Sequence, residues 1–223
     1  PAQADPTALT GPSSSKAPYL ISVAPGVTTT SIISVGDLAD NGYKMVGIPD
    51  GLGAYNNGDG TFTVLMNHEL GADKGIARAH GAAGAFVSKW VIDKSTLKVI
   101  KGEDLIKRVM LATGGTWSQA SGIAAAMNRL CSADLPSRKA FYRAANRFGS
   151  KARIFMNGEE GGVEGRAFAH VASGRDAGSS YELPALGNTS TDYRPRIDAA
   201  TAAHWRQTFS GAVERSQVWR QNA

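Results

Sequence analysis

The chain contains a single cysteine, Cys131, among 223 residues. One thiol cannot close an intrachain disulfide, so no disulfide framework supports the fold. Cys131 is then a buried small hydrophobe, a reactive thiol or a metal ligand. No apolar run approaches the roughly 20 residues that a membrane-spanning helix needs, which argues against a transmembrane segment. No run of five or more basic residues occurs. The lysines and arginines behind the formal charge of +5 are scattered, which describes a solvated surface and argues against a nucleic-acid partner. An initiator methionine and a signal peptide are both missing. The small, polar start Pro1-Ala2-Gln3-Ala4-Asp5-Pro6 reads as a mature terminus left by signal cleavage, which implies a secreted, periplasmic or cell-surface protein. Lysine is also missing from the last 36 residues, Asn188–Ala223, which instead carry five arginines and two of the four tryptophans.

Glycine is plentiful, at 26 residues, and most of it falls in turn-like contexts. That pattern predicts many short strands joined by tight turns. Residues 1–18, with Gly11, Pro12 and Ser13-Ser14-Ser15, read as a flexible leader. Strands are expected at Tyr19–Val23, Ser31–Val35 and Lys44–Ile48. The turn Asn56-Asn57-Gly58-Asp59-Gly60 should feed a strand at Thr61–Met66. Ala85–Ile92 and Thr96–Ile100 should form a hairpin, with Leu105–Leu111 as its third strand. Gln119–Leu130 and Ser137–Phe148 have helix-like spacing and predict a partly helical insertion, capped at Ser137 and stopped at Gly149. Strands should return at Ala152–Met156, Arg166–Ala172 and Ser180–Leu183. Residues 19–187 thus form a mainly β domain, and 188–223 an atypical tail. The tail should add no strand and no metal ligand, as unselected sequence after a frameshift would. Its alternative is a helix over Ala199–Gln221.

Two polar segments follow strands, where binding residues are commonly mounted on a rigid scaffold. In Asn67-His68-Glu69, Glu69 is a hard-cation ligand candidate, and His68 can ligate a metal or pair with phosphate. In Asn157-Gly158-Glu159-Glu160, adjacent carboxylates repel unless a cation resolves the conflict, and their oxygens suit calcium or iron. Arg166 offers a planar fork for phosphate, or an ion pair with Glu164 or Glu160. The Asp50-Gly51 turn supplies a further carboxylate. Asn57-Gly58-Asp59-Gly60 lacks the later ligands of an EF-hand and reads as a hairpin turn.

Taken in order, Gly47-Ile48-Pro49-Asp50-Gly51-Leu52-Gly53, Val64-Leu65-Met66-Asn67-His68-Glu69, Arg78-Ala79-His80-Gly81, Cys131-Ser132-Ala133-Asp134-Leu135 and Asn157-Gly158-Glu159-Glu160 resemble the N-terminal landmarks of PhoX-type alkaline phosphatases. The resemblance covers about residues 17–187 and stops after Gly187; Ser132–Lys151 is longer and richer in arginine than the family pattern. It implies a β-propeller around a metal cluster, here an incomplete one, and phosphomonoester hydrolysis with iron and calcium. Cys131 would be an iron ligand, Glu159 and Glu160 metal ligands, and Asn67 and Glu69 neighbours of the site. Other classes remain open: a non-catalytic secreted or cell-surface propeller module, and a phytase- or esterase-like hydrolase on the same scaffold. A last strand without its neighbouring blades would leave an open sheet edge for self-association. If the landmarks share a site, the two polar segments approach within about 10 Å, and Cys131 lies near Glu159 or Glu160.

Overall fold

The computed structural model describes residues 7–162 and 165–183, together with residues 200, 201, 203, 204 and 207. The chain divides into a body, Pro1–Ala185, and a C-terminal unit, Leu186–Ala223. In the latter, Ala200, Thr201, Ala203, His204 and Gln207 are helical; the rest of the expected tail lies outside the described residues.

The body is mainly β. Strands β1 (Thr7–Thr10) and β2 (Thr28–Ser31) pair in parallel. Strands β3 (Pro49–Asn56), β4 (Thr61–His68), β5 (Phe86–Asp93) and β6 (Val99–Asp104) form an antiparallel meander in chain order. The remaining strands are β7 (Arg108–Thr113), β8 (Thr116–Gln119), β9 (Leu130–Asp134), β10 (Tyr142–Arg143), β11 (Phe148–Gly149), β12 (Ile154–Glu159), β13 (Ala167–Val171) and β14 (Ser179–Leu183). Six of them build a second sheet in the order β8-β7-β14-β13-β12-β9, in which only β14 and β7 run parallel. β10 and β11 form a two-rung ladder apart from it. Neither large sheet closes on itself. Among the described residues, no helix is long and apolar enough to cross a membrane.

Burial follows the period-two alternation of strands. Along β4, Leu65 enters a core shared with Val87, Val109, Met127, Leu130, Phe155 and Phe168. Met66, one residue on, enters a second core with Ala39, Met45, Trp90, Ile92 and Val99. The meander is therefore covered on both faces near its middle.

Several expectations change. Tyr19–Val23 forms no strand: Tyr19, Leu20, Ile21 and Val23 are exposed and unpaired in any ladder. An apolar run makes a strand only where another strand offers hydrogen-bond partners. Ser31–Val35 begins where β2 ends, and Lys44–Ile48 contributes a single bridge from Lys44 to Leu38. β7 joins the second sheet and is not the third strand of the β5–β6 hairpin. The helical insertion is absent among the described residues. Gln119–Leu130 holds one short 3-10 turn, Gly122–Ala125, and Ser137–Phe148 is turns and the β10–β11 ladder. Short helices need an apolar face packed against something, and most of Ser137–Phe148 is exposed. Nor is the leader free along its whole length. Gly11 donates to Ser31 O, Val99 N to Ser13 Oγ and Ser15 N to Asp37 Oδ2, so the Gly/Ser stretch acts as a docking segment.

One packing constraint bears on the site. A Cβ at Gly51 in β3 would lie 2.6 Å from Ala133 N and from Cys131 O in β9. Both are backbone atoms, so β9 crosses β3 closely only because residue 51 has no side chain. Gly51→Ala should destabilise the protein by about 1–3 kcal/mol, read as a lowered urea midpoint at unchanged m value. A change below about 0.5 kcal/mol, the ordinary surface range, would show that β9 does not press on β3.

Candidate functional site

Strand alternation splits the first polar segment, and the end of β12 divides the second. In the first, Asn67 points into the space between the two sheets and is fully buried. Its Nδ2 donates to Cys131 O at 2.8 Å, and its Oδ1 accepts from Asn157 Nδ2 at 2.9 Å. Asn157 Oδ1 in turn faces His170 Nε2 at 2.9 Å. Since Oδ1 can only accept, Nε2 carries the hydrogen. A directed line of bonds thus runs from His170 on β13 through Asn157 on β12 and Asn67 on β4 to the backbone of β9. The two polar segments meet in direct contact.

His68 points the other way. It is fully buried and stacks on Phe86 with ring centroids 4.1 Å apart. Its Nδ1 donates to Val46 O, and its Nε2 accepts from Ser88 Oγ at 2.7 Å. Both nitrogens are engaged on the sheet face opposite Asn67. This is the setting of a core histidine, and we place His68 outside the candidate site.

The adjacent carboxylates Glu159 and Glu160 separate in the same manner. Glu159 is 4% exposed. It accepts Arg166 Nε at 3.0 Å and Nη2 at 2.7 Å, the Arg166 backbone N–H at 3.0 Å and the Asn128 N–H at 2.8 Å. Burial pushes its carboxyl up, but Arg166 and the two backbone donors outweigh it and leave it below its ordinary value. Arg166 also donates to Ala126 O. Each residue is therefore spent on the other, which assigns Arg166 a packing task rather than a phosphate clamp and removes Glu159 from the ligand candidates. The conflict between neighbouring carboxylates is resolved by an internal arginine.

Glu160, past the end of β12, lies at the surface with Glu69, Asp50 and Cys131. Asp50 and Glu160 lie close enough to act on the Glu69 carboxyl, and Asp50 close enough to act on the Cys131 thiol. Arg129, which the sequence reading passed over, stands among them. Its Nη2 lies 2.7 Å from Glu69 Oε1 and 2.5 Å from Glu160 Oε2. This guanidinium holds Glu69 below the usual carboxylate range. The Asp50 carboxylate beside it, burial and the charges of Glu69 and Glu160 push the Cys131 thiol up. No local pattern in the sequence pointed to Arg129, which lies 60 residues from Glu69.

As a donor set, Asp50, Glu69 and Glu160 supply hard oxygens and Cys131 a soft sulfur, a mixture that suits calcium and iron. Asn67 and Glu159 do not fit, because their polar atoms are already committed. As arranged, no three His, Cys, Asp or Glu side chains among the described residues surround a common point as metal ligands; the positive charge present is Arg129. The groove of about 1070 Å³ lined by Tyr19, Leu20, Ile33, Val35, Met45 and Leu52 contains none of these groups. No match to the chain was found among protein-family models, curated proteins or solved structures.

Two outcomes follow. Arg166→Ala should cost about 3 kcal/mol in chemical denaturation by leaving Glu159 buried without its partner; a loss below about 1 kcal/mol would contradict the pairing. Burial holds His68 down to about 4, and burial with the nearby His80 charge holds His170 down to about 3. Both stay neutral when folded, whereas the unfolded chain takes up protons below about pH 6.5. Stability is therefore whole above about pH 6.5 and falls on acidification towards pH 4, by up to about 1.4 kcal/mol per unit for each histidine. Melting temperatures at pH 7.5 and 5.0 test this; a higher value at pH 5.0 would contradict it.

Proposed function

We propose that this protein is a metal-dependent phosphomonoester hydrolase of the PhoX-type alkaline phosphatase kind, with the metal side of its site at Asp50, Glu69, Cys131 and Glu160. The observation that carries the reading is their gathering. The four come from β3, the end of β4, β9 and the end of β12, two from each sheet. They are also among the positions where the landmark resemblance expects metal ligands or their neighbours. The antiparallel meander β3–β6 has the form of one propeller blade, and we propose it as such. Export from the cytoplasm belongs to the same proposal.

A bound iron or calcium ion would neutralise phosphate charge and orient the ester. The chain's own residues do the rest. Asn67 fixes the Cys131 carbonyl, and so the strand that presents the thiol. Asp50 lies beside the thiol. Glu69 and Glu160 are presented from opposite sheets at a spacing that one cationic nitrogen already bridges.

One observation favours a non-catalytic binding module instead: Arg129 already bridges Glu69 and Glu160, so both carboxylates have an internal cationic partner. In that reading, the edge strand β8, exposed along all four residues, is the surface for self-association.

The test is iron and calcium content by elemental analysis, with hydrolysis of p-nitrophenyl phosphate at alkaline pH. Wild type should hold metal and turn over, and Cys131→Ser should lose iron and at least tenfold in kcat/KM. Wild type with neither metal nor turnover would overturn the hydrolase reading. Unchanged iron in folded Cys131→Ser would remove Cys131 from the ligand set.

A further inference from the structure

We propose that residues Tyr19–Val23 form the contact of a homodimer, adding as a strand to the same segment of a second copy, antiparallel about a two-fold axis at Ile21. The groove beside this segment contains none of the carboxylates or the thiol of the candidate site, so the inference is independent of the hydrolase reading.

The first ground is a β-forming run that finds no partner within its own chain. Tyr19, Leu20, Ile21 and Val23 are aromatic or aliphatic and suit a strand, yet residues 20–23 enter no ladder, turn or helix. Among the described residues, nothing accepts a hydrogen bond from the backbone N–H groups of residues 19–23. The segment is nonetheless held in place. Thr29 Oγ1 donates to Leu20 O at 2.7 Å, and Ser31 Oγ donates to Lys16 O; both hydroxyls belong to β2. In extended backbone, the N–H and C=O of successive residues point to opposite edges. A Leu20 carbonyl turned to β2 therefore leaves the Ile21 groups turned outward. An open edge of this kind is a template for strand addition, and a segment already tethered loses less freedom on pairing.

The second ground is area and self-complementarity. Tyr19 is fully exposed, and Leu20, Ile21 and Val23 are 78%, 58% and 75% exposed. Val35 and Leu52, at 54% and 57%, continue the apolar surface along the groove that Tyr19 and Leu20 also line. At roughly 150–230 Å² for each such residue when free, these six expose on the order of 800 Å², about one partner's share of a standard interface. A monomer seldom leaves that much apolar surface in water. Lys16 is the single charged residue lining the groove, so there is no charge pattern to select a nucleic acid or an acidic peptide. Self-pairing, in contrast, is matched residue by residue. Antiparallel order about Ile21 sets Ile21 against the second copy's Ile21, and Tyr19 against the second copy's Val23, twice over. Aromatic and β-branched side chains placed opposite one another stabilise antiparallel strands. One patch meeting its own copy also closes the assembly at two chains.

The experiment is sedimentation velocity across a concentration series of wild type, Ile21→Lys, Ile21→Pro and Trp117→Lys, with circular dichroism to show that each is folded. Ile21 is exposed, so its replacement spares the core. Wild type should reach a dimer. Ile21→Lys sets two like charges directly opposite and should raise the dimer dissociation constant at least tenfold. Ile21→Pro removes the N–H that pairs across the axis and should do the same. Trp117→Lys alters the β8 edge and should leave the dimer unchanged. A wild type that stays monomeric at its highest soluble concentration would overturn the inference. So would a dimer that survives both Ile21 variants, or one that Trp117→Lys abolishes, which would move the contact to β8. A monomeric wild type that floats with phosphatidylcholine vesicles would overturn it in favour of a lipid surface. None of these outcomes bears on metal content or phosphomonoester turnover, which test the hydrolase reading separately.

Discussion

The hydrogen bond from Asn157 Nδ2 to Asn67 Oδ1, 2.9 Å long and buried, joins the two large sheets at the point where every other feature of the site depends on their registration. A buried amide is costly unless all its polar atoms are used. Here the amides are used in sequence, with Asn67 holding Cys131 O on one side and Asn157 accepting from His170 on the other. A slip of either strand by one residue would turn the asparagine to the wrong face and leave several buried groups unpaired. The pair therefore specifies which residues of β4 and β12 stand opposite one another. Through them it places Glu69 and Glu160 at the same rim.

Electrostatics then sorts the acids by depth. Glu159 is inside and has a permanent partner in Arg166, with four hydrogen bonds to its carboxylate. Glu160, its chain neighbour, is outside and shares the half-exposed Arg129 with Glu69. An inward pair of this kind is a structural commitment, since removing either member strands a charge in the core. An outward pair is exchangeable, because water can receive either partner. The same alternation separates Asn67, which builds the seam, from His68, which fills the opposite core against Phe86.

The mainly β character was legible in the chain, as were the hairpins around Asn56–Gly60 and Asp93–Ser95 and the strands β4, β5, β12, β13 and β14. Each rests on local patterning: alternation, β-rich composition and turn residues act within a few positions. The helical readings of Gln119–Leu130 and Ser137–Phe148 rested on helix-like spacing and, for the second, on a cap at Ser137 and a stop at Gly149, all of them local signals. Met127 is instead drawn into bridges with Gly84 and Ala85, and tertiary pairing of this kind overrides weak helical preference.

Within the site, the sequence by itself determined the chemical inventory: carboxylates at Asp50, Glu69 and Glu160, a lone thiol at Cys131, and amides at Asn67 and Asn157 directly after or within β-forming runs. Only the tertiary structure decided which partner each group takes. Arg129 and Glu69 are 60 residues apart, and Asn67 and Asn157 are 90 apart, so no local pattern connects them. Ion pairs and buried hydrogen bonds form between groups that packing brings within about 3 Å. That proximity is set by the β3–β9 crossing at Gly51 and the seam at Asn67, and not by anything within reach along the chain.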